Sequence, residues 1–352
     1  MDPFSQAALG AVVAQSAGHA RLGYRAAAVG ALAGALPDID VLFSIGGDYF
    51  DQLELHRGIT HSLFFAPVVG PLLGLAVWRW ERRRAVGGTG PESGRLACWI
   101  TVITLALWSH PLLDLLTPYG TQLLLPFSNE RFAINAMPII DPIYTLGLFT
   151  GLLLAGRYLK QWAQGVALAT LLISCGYLSY AWRLNVAAEA EAVRQLTARG
   201  ITQARVEAFP TLLQIHYRRL VARTADTDRV GYLSLWQPCD IVWQSAPRLQ
   251  TPGIDNFLET REGRIFNWFT MGWIRYHLEH LGDEVRLRAT DLRYGFDENP
   301  NRSIFNASVR LGGDGRLLGL VAAGQDLVDG RAERLAALFE DTYAPLCRLT
   351  LR

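Results

Sequence analysis

Charge is the first thing this sequence lacks. Asp, Glu, Lys and Arg make up 18% of its 352 residues, against about 25% in an ordinary soluble protein. Half of the chain is hydrophobic and mean hydropathy is positive, at +0.16. Those values exclude a disordered chain and argue against a simple soluble enzyme. An excess of either sign is also missing: 33 basic and 32 acidic residues leave a net charge of +1, so no global field draws the chain to nucleic acid. Cysteine is scarce. Cys98, Cys175, Cys239 and Cys347 form no CxxC pair, which argues against a cysteine-rich metal site or a dense disulfide framework. There is no internal repeat and no low-complexity tract. No basic stretch precedes the first apolar run, so no cleaved signal peptide is expected.

What charge there is falls unevenly. Residues 1–182 hold 22 charged residues and residues 183–352 hold the other 43. The first half reads as membrane-embedded and the second as an ordinary globular domain. Four apolar segments approach the roughly 20 residues that a helix needs to cross a bilayer. They are Ser62–Trp78, Leu96–Leu116, Pro142–Leu159 and Trp162–Trp182. Two shorter stretches rich in Ala and Gly, Phe4–Ala17 and Tyr24–Leu36, precede them and suit close packing through small residues. The expected fold is thus an all-α polytopic membrane domain, with four full spans and two shorter N-terminal helices, followed by a soluble α+β domain. The expected boundaries are 1–182 for the membrane part, 183–204 for a helical connector and 205–352 for the soluble part.

Basic residues set the orientation. The segment Arg79–Arg95 carries Arg79, Arg82, Arg83, Arg84 and Arg95 against Glu81 and Glu92, which makes it cytoplasmic by the positive-inside rule. Arg157 and Lys160, and Arg21 and Arg25, agree with one threading. It places residues 37–62, 116–142 and everything beyond 182 in the periplasm. There Cys239 and Cys347 could pair, since disulfides form in oxidising compartments. In the second half, Ala187–Ala198 reads as an exposed helix leaving the membrane. Gln214–Val221, Val230–Trp236, Arg264–Phe269, Val285–Leu292 and Ile304–Leu311 read as strands, and Arg331–Tyr343 as a closing helix.

Three polar clusters interrupt the apolar half: Pro37-Asp38-Ile39-Asp40, then His56-Arg57-Gly58-Ile59-Thr60-His61-Ser62, then His110-Pro111-Leu112-Leu113-Asp114 with Ile140-Asp141-Pro142 beyond. An ionisable group at membrane depth costs about 2.5–3.5 kcal/mol or more, and usually faces a cavity or a partner. His110 and Asp114 share a helical face at i, i+4. Gly58 lets His56 and His61 converge through a sharp turn. The threading brings Asp38, Asp40, His61, His110, Asp114 and Asp141 to one membrane face. Imidazole with carboxylate and no thiolate is the donor set of Zn²⁺ or Mn²⁺ hydrolytic sites, and more than four candidate ligands suit two ions. A proton or ion pathway and a structural polar network are the competing readings. Asp38 or Asp40 could instead cap a helix, as Thr60 and Ser62 could cap the following span. Arg57 either binds an anionic substrate through its forked donors or neutralises a carboxylate. His19, His216, His277 and His280 have no acidic partners by spacing and read as structural.

The strings PDID, HRGITHS, HPLLDLLTPYGTQLLLPFS and IIDP resemble the YdjM family of inner-membrane, predicted metal-dependent hydrolases, in family order over residues 1–182. That family is distantly similar to zinc-dependent phospholipase C and single-strand nucleases. The resemblance implies metal roles for Asp38, Asp40, His56, His61, His110 and Asp114, with Asp141 close by. The expectation is a multi-pass bacterial inner-membrane hydrolase of a phosphoester or phospholipid, holding one or two divalent ions, Zn²⁺ first and Mn²⁺ second. Arg57 would steady the transition state, and Asp38 or Asp141 would act as general base if not a ligand. Its partners would be the lipid bilayer and that substrate, with no nucleic acid. The non-enzymatic alternative is a membrane scaffold or regulatory protein with a structural metal, whose soluble domain binds a protein partner.

Overall fold

The computed structural model describes residues 1–84, 94–282, 284–325 and 340–343. The chain divides into two compact units. One comprises residues 1–45 and 55–180, the other residues 46–54 and 181–352.

The first unit is helical. Helix α1 (Pro3–Leu22) starts at Asp2, whose carboxylate accepts from Ser5 N at 3.0 Å, with Pro3 in the first turn, where its missing N–H costs nothing. A two-residue turn leads to α2 (Arg25–Ala35), which continues as a 3₁₀ turn over Leu36–Ser44. The two helices meet backbone to backbone: a Cβ on Gly10 would lie 2.4 Å from Gly30 O, and one on Gly34 2.6 Å from Gln6 O. Only glycine permits this approach. Then come α3 (Tyr49–Leu55), which groups with the second unit, a 3₁₀ turn over Ile59–His61, α4 (Phe65–Arg84), α5 (Arg95–Asp114) and α6 (Pro142–Leu153). A π turn over Leu154–Tyr158 precedes the 36-residue helix α7 (Ala163–Ala198). The core joins Ala14, Leu22, Ala26 and Ala33 to Trp99, Val102, Ile103 and Leu107.

Among the described residues three helical stretches are long and apolar enough to cross a membrane: Arg25–Ser44, Arg95–Asp114 and Lys160–Ala198. A fourth is counted if Tyr49–His61 and Phe65–Arg84, bent by 62°, act together. Two expectations change. Tyr24–Leu36 is not short, because the 3₁₀ turn carries the helix past Pro37. Pro142–Leu159 does not qualify, because its α-helix gives way to the π turn after 12 residues. The basic turns do gather at one end: Glu81 pairs with Arg25 at 3.2 Å and with Arg95 at 2.9 Å, and Arg95 also donates to the Arg21 carbonyl.

The second unit holds two four-stranded antiparallel meanders. One runs β1 (Arg205–Pro210), β2 (Tyr217–Arg223), β3 (Thr227–Ser234), β4 (Gln244–Pro247). The other runs β5 (Ile274–Leu281), β6 (Glu284–Asp291), β7 (Phe305–Leu311), β8 (Ala322–Gln325). Successive strand residues face opposite ways. Ala208, Leu220 and Leu233 pack on Ala188 and Ala192 of α7, while Phe209, Val221 and Val230 pack on Trp273 and Leu292. The C-terminal part of α7 is therefore half buried, not the exposed connector expected. Helices α8 (Pro252–Glu259) and α9 (Arg261–Phe269) link the sheets. Arg264–Phe269 was expected as a strand. It is helical because Thr260 caps the turn, accepting from Gly263 N at 2.9 Å, and Ile265, Phe266 and Phe269 form a buried stripe. Of the expected closing helix, residues 331–339 lie outside the described residues, as does Cys347. Residues 340–343 are helical. Cys239 is disulfide-bonded.

Candidate metal centre

Four electron-rich atoms converge at the end of the helical unit away from the basic turns. His110 and Asp114 come from the last turn of α5, His61 from the 3₁₀ turn before α4, and Asp38 from the 3₁₀ turn after α2. His61 Nε2 lies 3.0 Å from His110 Nε2, 3.3 Å from Asp114 Oδ2 and 3.5 Å from Asp38 Oδ1. His110 Nε2 lies 3.3 Å from Asp38 Oδ1 and 3.6 Å from Asp114 Oδ2. Bonds of 2.0–2.2 Å to a tetrahedral ion would set ligand atoms about 3.3–3.6 Å apart, and five separations fall at or just below that range.

The outer ring nitrogens explain why these atoms face each other. His110 Nδ1 donates to Gly34 O at 2.6 Å, and His61 Nδ1 lies 3.1 Å from Asp40 Oδ2. A carbonyl and a carboxylate only accept, so the neutral form of each ring would carry its proton on Nδ1 and turn a lone pair inward. Asp114 Oδ2 is buried, with the Arg57 guanidinium 3.1 Å away on its other side. Two ring nitrogens and two carboxylate oxygens thus face one point, within 4.8 Å of one another. The group is therefore able to hold a metal ion.

Residues 1–188 match the profile of the family described as YdjM inner membrane protein. The chain belongs to the YdjM family. A stretch of 106 residues is 41% identical to the inner membrane protein YbcI of Escherichia coli (strain K12), covering 29% of this chain and 54% of that protein. Another, of 119 residues, is 29% identical to the uncharacterized protein YfhP of Bacillus subtilis (strain 168), covering 32% of each. The chain thus spans about half of one relative's length and about a third of the other's. No solved structure matches. The YdjM match ends within α7, and residues 189–352 lie beyond it.

Around the YdjM centre the remaining candidates take different places. Asp38, Asp40 and His56 form a second group sharing Asp38 with the first. Asp40 acts chiefly as a hub. Its Oδ1 lies 3.0 Å from His56 Nδ1, and its Oδ2 accepts from Arg57 N at 2.8 Å and from Thr60 Oγ1 at 3.2 Å. These bonds hold Arg57 in the left-handed region, at φ 60°, a strained conformation that surrounding contacts must enforce. Three of the four converging residues are fully buried, whereas the Asp38 and His56 side chains are 23% and 28% exposed.

Arg57 is turned onto Asp114: Nε lies 3.1 Å from Asp114 Oδ2, and one terminal nitrogen donates to Thr117 Oγ1 at 2.7 Å and to Asp114 O at 3.2 Å. Of the two readings of Arg57, this geometry matches the neutraliser of a carboxylate. Asp141 is not brought into either group. Its Oδ1 caps α6 by accepting from Tyr144 N at 2.9 Å, and its Oδ2 accepts from Tyr177 OH at 2.8 Å. Thr60 is spent on Asp40, whereas Ser62 Oγ accepts from Phe64 N. His277 does have an acidic neighbour, Glu279 at 3.4 Å, in the second unit. Sequence reading missed Gln6, fully buried on α1, which donates to Asp114 Oδ1 at 3.0 Å and to His110 O at 3.3 Å. The Met1 amino group also donates to Asp114 Oδ1. The one available signal was a long polar side chain inside an otherwise Ala- and Gly-rich helix.

Proposed function

We propose that this YdjM-family protein is a metal-dependent hydrolase of phosphoesters carried by lipids at the periplasmic face of the inner membrane. The observation that carries the reading is the convergence of His61, His110, Asp38 and Asp114, whose ligand atoms all lie within 4.8 Å of one another. Nitrogen and oxygen donors without thiolate favour Zn²⁺, then Mn²⁺. A divalent ion held there supplies Lewis-acid polarisation of a phosphoryl oxygen and hydroxide at neutral pH.

The chain's own residues do the rest. Asp40 fixes the His61 ring, Gly34 O fixes the His110 ring, and Arg57 and Gln6 hold the Asp114 carboxylate. The half-open group of Asp38, Asp40 and His56 is the side from which substrate enters. His56, oriented through Nδ1 by Asp40, has its Nε2 for moving a proton between substrate and solvent. The turn bearing the two carboxylates also exposes Ile39, Val41, Leu42 and Phe43, which suits a lipid substrate. Basic turns at the opposite end support a periplasmic site, and the Cys239 disulfide supports an oxidising compartment for the second unit.

One observation favours the scaffold alternative: the group offers four protein ligands, the number that closes a structural site. Metal analysis of detergent-purified protein, with hydrolysis of a phosphodiester and phospholipid panel, separates the two. Metal-dependent turnover abolished in His61→Ala supports the hydrolase. Full metal occupancy with no turnover above the His61→Ala control establishes the scaffold.

A further inference from the structure

The excursion between α5 and α6, in the first unit, carries an exposed apolar surface beside the turn that bears His61. Its base is closed by Thr121 and Phe132, which exchange both backbone hydrogen bonds at 3.0 Å. Its tip is apolar: Leu124, Pro126 and Phe127 are exposed, Phe127 by 80%. Asn129 and Glu130, which follow, are exposed and polar. The tip is fixed in place. Phe127 N and Ser128 N both donate to Leu124 O, at 2.8 and 3.1 Å, and Leu63 N donates to Leu123 O at 3.0 Å. Ser62 Oγ donates to Leu125 O, and Gln122 N donates to Arg57 O at 3.1 Å. These bonds staple the tip to residues 57–63. The Phe127 ring meets Phe64 edge to face, with centroids 5.1 Å apart, and Phe64 is itself 45% exposed.

A contiguous apolar patch of this kind marks an interaction surface, and continuity identifies what covers it. Phe64, Val68 and Leu72 recur every four residues and are all exposed, so they form one stripe running from the start of α4 along its outer face. Helix α4 is half of the bent pair that counts as a membrane span. Phe127 extends that stripe at the end where the His61 turn lies, and the chain turns polar two residues later, as at a headgroup boundary. We propose that Leu124, Pro126, Phe127 and Phe64 form a wedge seated in the acyl region of the bilayer, in the leaflet on the metal-centre side. An amphipathic element at such a boundary buries its apolar side about 5–10 Å deep. The backbone staples then hold the His61 turn at headgroup level, which presents the phosphate of a membrane lipid to the centre. That last step rests on the hydrolase reading, whereas the wedge rests only on the membrane placement of the helical unit.

The test is photocrosslinking of the full chain in nanodiscs of phosphatidylethanolamine and phosphatidylglycerol, read by intact mass. The photoreactive analogue p-benzoylphenylalanine replaces Phe127. The same analogue at Leu172, exposed on the apolar helix α7, is the lipid reference, and at Glu130 it is the water reference. Lipid adducts at position 127 should come within about twofold of position 172 and exceed position 130 at least about fivefold. Leu124→Asp should lower the yield at position 127 at least about threefold, with unchanged circular dichroism. Leu124 is exposed, so this variant keeps its fold. Lipid adducts in a protein without turnover uphold the wedge and count against the hydrolase reading alone. The wedge is overturned by adducts at position 127 no more frequent than at position 130, by cross-links from position 127 to a second copy of the chain in place of lipid, or by a wild-type yield in the Leu124→Asp variant.

Discussion

Asp40→Asn changes one oxygen to an amide nitrogen and leaves the volume almost unaltered. In the wild type both oxygens of Asp40 are occupied by donors: His56 Nδ1 at 3.0 Å on one, and His61 Nδ1, Arg57 N and Thr60 Oγ1 on the other. Asn supplies one acceptor and one donor, so an N–H must face the Nδ1 of either His56 or His61. The metal-facing tautomer of His61 is no longer enforced. Loss of such an orienting carboxylate typically costs 10–100-fold in metal affinity. A wild-type protein at free Zn²⁺ of 100 times its Kd gains about 2.7 kcal/mol from binding. With Kd raised 10–100-fold that gain falls to about 1.4–0.4 kcal/mol. The thermal midpoint should drop by about 3–9 °C at that Zn²⁺ level, using about 2–4 °C per kcal/mol for a unit of this size. It should return toward wild type as Zn²⁺ is raised. The assay is thermal unfolding in detergent across a buffered Zn²⁺ series, with His61→Ala alongside. Loss of binding as complete as in His61→Ala would make Asp40 a ligand and refute its assignment as the orienting hub. No change in affinity would refute the tautomer argument itself.

Arg57→Ala leaves the buried Asp114 carboxylate without its guanidinium. It should cost about 3–5 kcal/mol in chelator-treated protein and less once Zn²⁺ is restored. Equal thermal midpoints with wild type in chelator would show that the pair contributes nothing. Gly30→Leu drives a side chain into Ala14 Cβ and Gly10 O, only 2.3 and 2.4 Å from a Cβ at that position. It should destabilise by about 1–3 kcal/mol or more and also reduce metal content, because α2 leads into the Asp38 turn. A wild-type melting curve for that variant would contradict the close α1–α2 crossing. Reporter fusions after Gly88 and after Arg352 should read cytoplasmic and periplasmic respectively. An active cytoplasmic reporter at Arg352 would reverse the orientation.

Much of this protein follows from local composition. Low charge and long apolar runs mark residues 1–182 as membrane-embedded, because lipid tolerates little else. Period-2 alternation exposes strands such as β3, β6 and β7. His, Arg and Asp inside apolar sequence stand out because burial there is costly, and i, i+4 spacing pairs His110 with Asp114 without any tertiary information. Tertiary structure alone decides which of these groups meet. His61 and His110 are 49 positions apart, and only the packing of the helical unit brings their Nε2 atoms to 3.0 Å. Asp40 and Asp38 are two residues apart on one 3₁₀ turn, yet one chiefly holds the imidazoles and the other faces the centre. Asp141 looks equivalent in sequence, but it is consumed in capping α6. Likewise a Thr cap and a buried stripe make α9 a helix where β-branched and aromatic composition suggests a strand. Residue type sets what a group can do. The geometry of its neighbours sets what it has left to offer.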